Sequence, residues 1–162
     1  ASVSGDRLTE IGNNNFLMAY THIAHDCKLG NSVIMANAAT LGGHVIVEDG
    51  VFIGGLAAVH QFGMIGAYAM IGGLSAVTQD VLPYTMVSGS KPKLYGLNAV
   101  GLKRKGFSDE TIKHLKKAYK ILFREKRALK EAIKKIRTDM PQTPEINHMI
   151  AFIEKSKRGI CR

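Results

Sequence analysis

Apolar residues recur at every sixth position through the first half of the chain. Stepping by six from Ile11 to Val77 meets an aliphatic residue or a methionine each time, at positions 11, 17, 23, 29, 35, 41, 47, 53, 59, 65, 71 and 77. The residue two places before each of these anchors is mostly small or β-branched, and glycine often follows the anchor. An amphipathic helix would repeat its apolar positions about every 3.6 residues and an exposed strand about every 2, so neither explains this period.

A period of six predicts short strands separated by sharp corners, with every anchor pointing into a narrow core. Small residues beside the anchors let neighbouring strands approach, and glycine supplies corners that need unusual φ angles. Three such strands close one triangular turn, so three repeats make a turn and residues 11–82 are expected to make four turns. The repeat therefore predicts an all-β parallel β-helix, which we call the coil.

The period changes after Pro83, where the anchors end. Residues 88–92, Ser-Gly-Ser-Lys-Pro, predict an exit loop. Ser108 is the predicted N-cap of an amphipathic helix that runs to about Glu125, and a second helix is expected over residues 128–139. Thr143 and Pro144 predict the start of a third helix, whose apolar face carries Ile146, Met149, Ile150 and Ile153. We therefore expect a β-helix over residues 1–90 and a basic α-helical C-terminal domain over residues 91–162.

Charge divides the chain at the same place. The net charge is +9, but residues 1–90 sum to −4 and residues 91–162 sum to +13. A surface as basic as that of residues 91–162 attracts anionic partners. The candidates at this point are nucleic acid, anionic lipid and an acidic protein. The alternative is that the positive charges form a solvent-exposed helical face that binds no partner.

Composition narrows the location of the protein. No apolar run approaches the ~20 residues that a membrane span needs, and no basic-then-apolar leader is recognisable, so we expect no stable membrane insertion. Two cysteines, Cys27 and Cys161, do not make a disulfide framework. They are expected to be reduced thiols in a cytoplasmic protein.

Four of the six histidines fall on one edge of the predicted coil. Residues one turn apart lie above one another, about 4.8 Å per turn, so positions can be reduced to a single turn. On that scale four histidines fall within five positions: His22, His25, His44 and His60. Gly43 and Gln61 share the rung of His25. We call this set the histidine edge; His114 and His148, in the helical half, are expected to be ordinary surface residues.

Such an edge suits two kinds of chemistry. Three imidazoles can hold a metal, as in the γ-type carbonic anhydrases that share this coil, but their His-x4-His pair differs from the spacing of His22 and His25. We therefore expect no metal. In acid–base catalysis, one imidazole takes a proton from a hydroxyl group. Asp26, beside His25, would then fix the tautomer of that imidazole. Polar corner residues that simply stack are the third interpretation.

Four local strings stand out along the chain: YTHIAHDC at 20–27, LGGHV at 41–45, VHQF at 59–62 and GLKRKGFS at 101–108. Taken together, they resemble one family closely, the UDP-N-acetylglucosamine O-acyltransferases that open lipid A synthesis. The likeness covers nearly the whole chain, as far as residues 156–160. It implies a left-handed coil, a homotrimer with sites between neighbouring subunits, and no cofactor. The implied reaction moves a 3-hydroxyacyl chain from acyl carrier protein to the 3-hydroxyl of UDP-N-acetylglucosamine.

The resemblance also implies roles for single residues. His25 matches the general base, Asp26 its orienting acid, and Gly43 the residue whose backbone N–H stabilises the oxyanion. The residues implied to position the sugar nucleotide or the acyl chain are His22, His44, His60, Gln61, Asn98, Arg104 and Lys105. Gly73 matches the acyl-chain ruler, where a glycine leaves the groove open for a longer chain. It is equally consistent with an ordinary corner of the coil.

The sequence departs from the family pattern in three respects. Val100 stands where the family often has a glutamate. Lys105 stands where a second arginine is common, and a lysine binds phosphate without the bidentate fork of arginine. The family's earlier coils are absent and residues 1–7 do not keep the repeat, so we expect the chain to begin partway through a longer coil.

The basic tail gains a candidate partner from the resemblance, because acyl carrier protein is acidic and would dock on lysine- and arginine-rich helices. Nucleic-acid binding is not expected, since no base-reading module accompanies the charge. Two other functions remain open. One is a UDP-glucosamine N-acyltransferase with the same coil and donor, and the other is a non-catalytic trimeric module that binds acyl carrier protein.

Overall fold

The computed structural model describes residues 8–162, and the expectation about residues 1–7 lies outside the described residues. Its first part contains twelve strands of two residues each at intervals of six. They are β1 Glu10–Ile11, β2 Phe16–Leu17, β3 His22–Ile23, β4 Lys28–Leu29, β5 Ile34–Met35, β6 Thr40–Leu41, β7 Ile46–Val47, β8 Phe52–Ile53, β9 Ala58–Val59, β10 Met64–Ile65, β11 Met70–Ile71 and β12 Ala76–Val77.

These strands form the three faces of a triangular coil. Sheet A contains β1, β4, β7 and β10; sheet B contains β2, β5, β8 and β11; sheet C contains β3, β6, β9 and β12. Every pair among them is parallel and joins positions three repeats apart, as in His22 opposite Thr40. The predicted parallel solenoid of about four turns is therefore confirmed.

The anchors fill the centre of the coil, since the second residue of each strand points inward. From Leu29 to Val77 all nine anchors are buried, and the small residues two places before them, such as Cys27 and Ala39, are buried with them. Ile11 and Leu17 are 50% and 38% exposed. The reason is that no strand of the described chain lies in front of sheets A and B at these rungs.

The loop that the sequence predicts after the coil is present, but it is the turn of a hairpin between two strands that were not predicted. Strand β13 (Thr85–Ser88) continues sheet B parallel to β11 and pairs antiparallel with β14 (Lys93–Leu97), so residues 89–92 form the turn. Met70 lies opposite Met86, where an unbroken repeat would place Ser88, because the last turn is two residues shorter than the others. A short helix, α1 (Ala99–Arg104), follows and was also not predicted.

The three predicted helices are present: α2 Asp109–Phe123, α3 Leu129–Asp139 and α4 Pro144–Lys155. The caps explain the starts of α2 and α4, because the side chains of Ser108 and Thr143 accept hydrogen bonds from the backbone N–H groups of Thr111 and Ile146. The apolar faces of the helices, with Leu82, Tyr84 and Leu102, form a second group of buried side chains separate from the core of the coil. None of the helices in residues 8–162 has the length and apolarity to cross a membrane.

The end of the chain returns to the coil at Asp80. This buried carboxylate accepts a hydrogen bond from the Met64 N–H (2.8 Å) and one from the Ser156 hydroxyl (2.5 Å). The Asp80 carbonyl also accepts from the Cys161 N–H (2.9 Å), and Asp80 forms a parallel bridge with Ile160. The segment after α4 is thereby fixed beside the histidine edge.

Candidate active site

The histidine edge is the corner where sheet C turns into sheet A. His25 and Asp26 lie between β3 and β4, and His44 occupies the corresponding place one turn later. Asp26 and His44 both have left-handed backbone angles, with φ of 59° and 60°. Aspartate tolerates this conformation because its short polar side chain can bond locally. The repeat therefore sets the backbone of the site.

Asp26 holds the ring of His25. Its Oδ2 lies 2.8 Å from His25 Nδ1 and 3.8 Å from His44 Nε2. The Asp26 side chain is 5% exposed, whereas that of His25 is 50% exposed. Because a carboxylate only accepts hydrogen bonds, Nδ1 carries the proton of the neutral imidazole, and the lone pair is on Nε2. A buried acid and an accessible imidazole are the arrangement that acid–base chemistry requires.

Gly43 lies directly against the ring of His25. A Cβ atom added to Gly43 would come 2.7 Å from Cε1 and 2.8 Å from Nε2 of His25, closer than side-chain atoms approach one another. Only glycine therefore fits, and the backbone of Gly43 borders the nitrogen that has the lone pair. The carbonyl of Gly43 is already engaged, since it accepts a hydrogen bond from the Phe62 N–H (2.9 Å).

The ring of His44 is held between two neighbours. It meets His25 edge to face, with 5.1 Å between ring centroids, and stacks on Phe62 at 4.5 Å and 8°. Sequence reasoning did not select Phe62. Its position, one full turn of the repeat after His44, could have identified it, because residues one turn apart lie above one another.

Arg158 is the second residue that sequence reasoning missed. Its guanidinium lies 3.3 Å from His60 Nδ1 and donates a hydrogen bond to the Thr78 carbonyl (3.1 Å). No signal in the repeat could reveal this contact, since it depends on how the segment after α4 returns to the coil. His22, on β3, and Gln61, beside His60, are exposed along the same edge.

The predicted nucleotide contacts lie elsewhere on the molecule. A cavity of about 500 Å³ opens on the outer face of sheet B, the face opposite the histidine edge. Its floor is apolar, formed by Ile34, Phe52, Met70 and Met86, and its rim includes Asn98, Val100, Arg104 and Lys105. Asn98 caps α1, because its Oδ1 accepts from the Gly101 N–H (3.2 Å) while its Nδ2 donates to the Tyr68 carbonyl (3.0 Å).

Gly73 lies at a third place, the corner between sheets B and C. It follows β11 and is exposed. A Cβ atom there would come 3.1 Å from the Gly55 carbonyl oxygen, a tight contact with the turn before. The chain by itself therefore brings His25, Asp26, Gly43 and His44 together in one site. Asn98, Arg104, Lys105 and Gly73 lie apart from it.

His148 corrects an expectation. It is not an ordinary surface residue, because its Nδ1 lies 2.9 Å from the Tyr84 hydroxyl and its Nε2 2.9 Å from Glu48 Oε2. It thereby attaches helix α4 to the corner between sheets A and B. Burial, with the negative charges of Glu145 and Glu48, raises the pKa of Tyr84. Cys27 and Cys161 are free and buried, and burial raises the pKa of both thiols.

One group of side chains in the described residues could hold a metal ion. One ligand atom from each of His25, Asp26 and His44 lies within 4.8 Å of the others.

Comparison with known proteins places this geometry in a family. The family described as UDP-N-acetylglucosamine O-acyltransferase, domain 2, matches residues 80–161, just over half of the chain. The bacterial transferase hexapeptide family (six repeats) matches residues 8–43.

Curated relatives agree with that assignment. The acyl-[acyl-carrier-protein]–UDP-N-acetylglucosamine O-acyltransferase of Thermodesulfovibrio yellowstonii is 71% identical over 162 residues, covering 100% of this chain and 63% of the relative. The protein of the same name from Alkalilimnicola ehrlichii is 48% identical over 155 residues, covering 96% of this chain and 60% of the relative. The chain thus spans less than two thirds of the length of these relatives.

Solved structures show the same likeness. UDP-N-acetylglucosamine O-acyltransferase from Moraxella catarrhalis superimposes with a TM-score of 0.91 at 42% identity, covering 96% of this chain and 60% of that one. The UDP-N-acetylglucosamine acyltransferase from Campylobacter jejuni gives 0.91 at 43% identity, covering 97% and 61%. The chain described here therefore belongs to the UDP-N-acetylglucosamine O-acyltransferase family.

Proposed function

We propose that this chain provides the site that transfers a 3-hydroxyacyl chain from acyl carrier protein to the 3-hydroxyl of UDP-N-acetylglucosamine, the opening step of lipid A synthesis. The observation that supports this most is the His25–Asp26 pair, with Nδ1 to Oδ2 at 2.8 Å and the Gly43 backbone against the ring. The relatives named acyl-[acyl-carrier-protein]–UDP-N-acetylglucosamine O-acyltransferase match nearly the whole chain. The substrates in that name support the choice of substrates proposed for this chain.

In the proposed reaction His25 is the general base. Its Nε2 takes the proton of the sugar 3-hydroxyl while that oxygen attacks the carbonyl carbon of the thioester. A C–O bond forms and the C–S bond breaks, and the leaving thiolate of the carrier takes the proton back from the imidazolium. Asp26 keeps the imidazole in the reactive tautomer and stabilises its cationic form.

The negative charge on the thioester oxygen needs a donor that is already in place. The N–H of Gly43 is the proposed donor, since the Gly43 backbone borders the His25 ring. A backbone N–H fixed in a coil does not have to reorganise during the reaction, which is why such donors stabilise an oxyanion effectively. Any side chain at position 43 would push against the imidazole, so oxyanion binding and base placement depend on the same glycine.

The rest of the edge is proposed to position the substrates. His22 lies on the same turn as the base, and His44, His60 and Gln61 lie along the same corner on the next two turns. The stacking of His44 on Phe62 fixes its ring, and the Arg158 contact fixes that of His60. Rigid neighbours hold a substrate in a reactive geometry better than mobile ones.

The nucleotide contacts are proposed to come from another subunit. The cavity with Asn98, Arg104 and Lys105 lies on sheet B, opposite the edge that carries His25, so one chain does not offer both to a single substrate. A homotrimer in which the edge of one coil faces sheet B of the next would combine them. The half-buried apolar floor of the cavity supports such packing, because apolar surfaces that remain accessible to solvent often mark interaction sites. Gly73, at the corner beside sheet B, would then line the groove for the acyl chain.

Mixing two inactive variants tests the shared site. His25→Ala removes the base and Arg104→Ala removes the nucleotide contact, so each homotrimer should lose activity. Unfolding and refolding the two together should restore transfer, because some interfaces then join an intact base to an intact Arg104. A mixture with no more activity than its components would contradict a site between subunits.

The helical tail is proposed to form a separate domain, residues 91–162, that receives the carrier protein. Its net charge of +13 would attract an acidic partner and speed the encounter more than it strengthens the complex. The rate constant for transfer at low carrier concentration should therefore fall steeply with ionic strength, whereas the rate at saturating carrier should change little.

The chemical identity of the product tests the reaction itself. The full chain is incubated with 3-hydroxyacyl carrier protein and either UDP-N-acetylglucosamine or UDP-glucosamine, whose sugar amine is free. The proposal predicts an alkali-labile ester from the first acceptor. An alkali-stable amide formed only from the second would instead identify an N-acyltransferase, and carrier-protein binding without product would identify a non-catalytic module.

A further inference from the structure

The corner that carries the proposed base also has the donor set of a zinc site. The ligand atoms of His25, Asp26 and His44 all lie within 4.8 Å of one another. Zinc binds imidazole nitrogen and carboxylate oxygen at about 2.0–2.2 Å, so two ligands of a tetrahedral ion lie roughly 3.3–3.5 Å apart. The measured separations from Asp26 Oδ2, 2.8 Å to His25 Nδ1 and 3.8 Å to His44 Nε2, lie on either side of that value. Shifts of about half an ångström would bring these two separations into that range. The nitrogens of His25 and His44, which lie within 4.8 Å of each other, must also close to it.

We propose that His25, Asp26 and His44 form a Zn²⁺ site with an open fourth position, and that zinc bound there blocks the acid–base function of His25. The binding half of this proposal is independent of any reaction, whereas the inhibition half rests on the proposed function. Two imidazoles and one carboxylate with one open position are a set that zinc accepts readily.

The backbone holds these ligands before any ion arrives. Asp26 and His44 occupy equivalent corners one turn apart, and the His44 N–H donates to the His25 carbonyl (3.0 Å). Phe62 stacks on the ring of His44 and limits its rotation. The Asp26 side chain is 5% exposed, unlike the exposed carboxylates that occur commonly without a metal. The ordering entropy has therefore already been lost, which favours binding.

Inhibition follows from the number of protons that a neutral imidazole ring carries. A neutral ring has one N–H and one lone pair. In the proposed reaction Nδ1–H faces Asp26 and the lone pair of Nε2 takes the sugar proton. Zinc on Nδ1 needs the lone pair there, so the single proton moves to Nε2 and no basic nitrogen faces the hydroxyl. The same ion separates His25 from Asp26, which removes the group that stabilises the imidazolium.

Binding is tested on the chelator-treated full chain by titration with ZnCl₂ in a calorimeter. Co²⁺, whose visible absorption reports a tetrahedral site, is the spectroscopic substitute. One ion per chain is expected. His44→Asn and Asp26→Asn each remove a ligand at a position of positive φ, where asparagine is well tolerated, so both should fold. Each should weaken binding by more than the roughly 10–100-fold lost with outer-shell partners.

His22→Ala is the matched control, since His22 is exposed on the same edge outside the proposed ligand set. It should bind zinc like the parent chain. No saturable binding to the parent chain, unchanged binding in His44→Asn, or binding lost in His22→Ala would each overturn the site.

Regulation is tested by adding zinc to the transfer assay. Activity should fall as the site fills and return when a chelator is added. Full activity at saturating zinc would overturn the inhibition while leaving the site. A zinc-free chain that transfers no acyl group would count against the proposed function, and the calorimetric result would still decide the zinc site.

Discussion

In the coil, backbone hydrogen bonds join successive turns at each strand, such as His22 N–H to the Ala39 carbonyl and Thr40 N–H to the Ala57 carbonyl. In the tail, each helix satisfies its own backbone, and the helices pack on one another through buried side chains. The environment of a coil residue is therefore largely set by its place in the repeat. The environment of a tail residue depends on where its whole helix packs. The proposed catalytic groups lie in the first region, and the contacts that attach the tail lie in the second.

The sharpest test of the coil compares one repeat position on two rungs. Ile53 is fully buried in the column between Met35 and Ile71, whereas Ile11 has the same place in the repeat but is 50% exposed. Ile53→Ala should lower the free energy of unfolding by about 2–5 kcal/mol through lost burial and an empty cavity. Ile11→Ala should cost about 1 kcal/mol. Urea unfolding curves give both values, and equal losses would contradict a core whose packing depends on stacked neighbours.

The attachment of the tail is tested at Asp80. Asp80→Ala leaves the Met64 N–H and the Ser156 hydroxyl without their acceptor, which should cost about 1–3 kcal/mol of stability. Asp139→Ala is the control, because this exposed residue pairs with Lys135 at the surface and should change stability by less than about 0.5 kcal/mol. If the two variants unfold at the same denaturant concentration, Asp80 does not join the two regions.

Helix caps test the tail on its own. Ser108 caps α2 through its side chain, whereas Ala128 begins α3 without a side-chain hydrogen bond. Ser108→Ala should therefore lose about 1 kcal/mol, and Ala128→Ser should gain up to about 1 kcal/mol because its backbone is already extended as a cap requires. Thermal unfolding measures both. A loss at both positions would show that neighbours other than the cap set the ends of these helices.

A smaller effect, confined to alkaline pH, should appear at Tyr84. Burial raises the pKa of its phenol, so as the pH rises the unfolded chain releases this proton before the folded chain does. The contribution is fully present below the ordinary tyrosine value near pH 10 and is lost progressively above it. Stability measured from pH 8 to 11 should decline less steeply in Tyr84→Phe than in the parent chain. Parallel curves would mean that the phenol titrates equally in both states.

The same contrast explains what could be predicted from the sequence. A fixed period makes residues one turn apart neighbours, so His25, Gly43 and His44 could be brought together by arithmetic. The predicted starts of α2 and α4 agree with the structure because Ser108 and Thr143 act locally, through the turn that follows each of them. The same arithmetic could also have identified Phe62, which lies one turn after His44.

Other contacts had no local signal. His148 reaches Glu48 and Tyr84 only because α4 packs against the corner between sheets A and B, and Arg158 reaches His60 only because the chain returns at Asp80. The hairpin of β13 and β14 was missed because the last turn is two residues short, which ends the period before the sheet ends. A repeat fixes neighbours inside the coil, but it does not fix what docks on it.

The central claim is that His25 removes the proton of the attacking hydroxyl, and single-turnover acyl transfer at saturating substrates tests it most directly. The assay uses protein treated with a chelator to remove metal ions. His114→Ala on α2 is the control variant, and circular dichroism shows that both variants fold. We predict that His25→Ala slows transfer by about 10²–10⁴-fold, the usual contribution of a general base, while His114→Ala transfers at the parent rate. A His25→Ala chain that transfers acyl groups as fast as the parent would contradict the account.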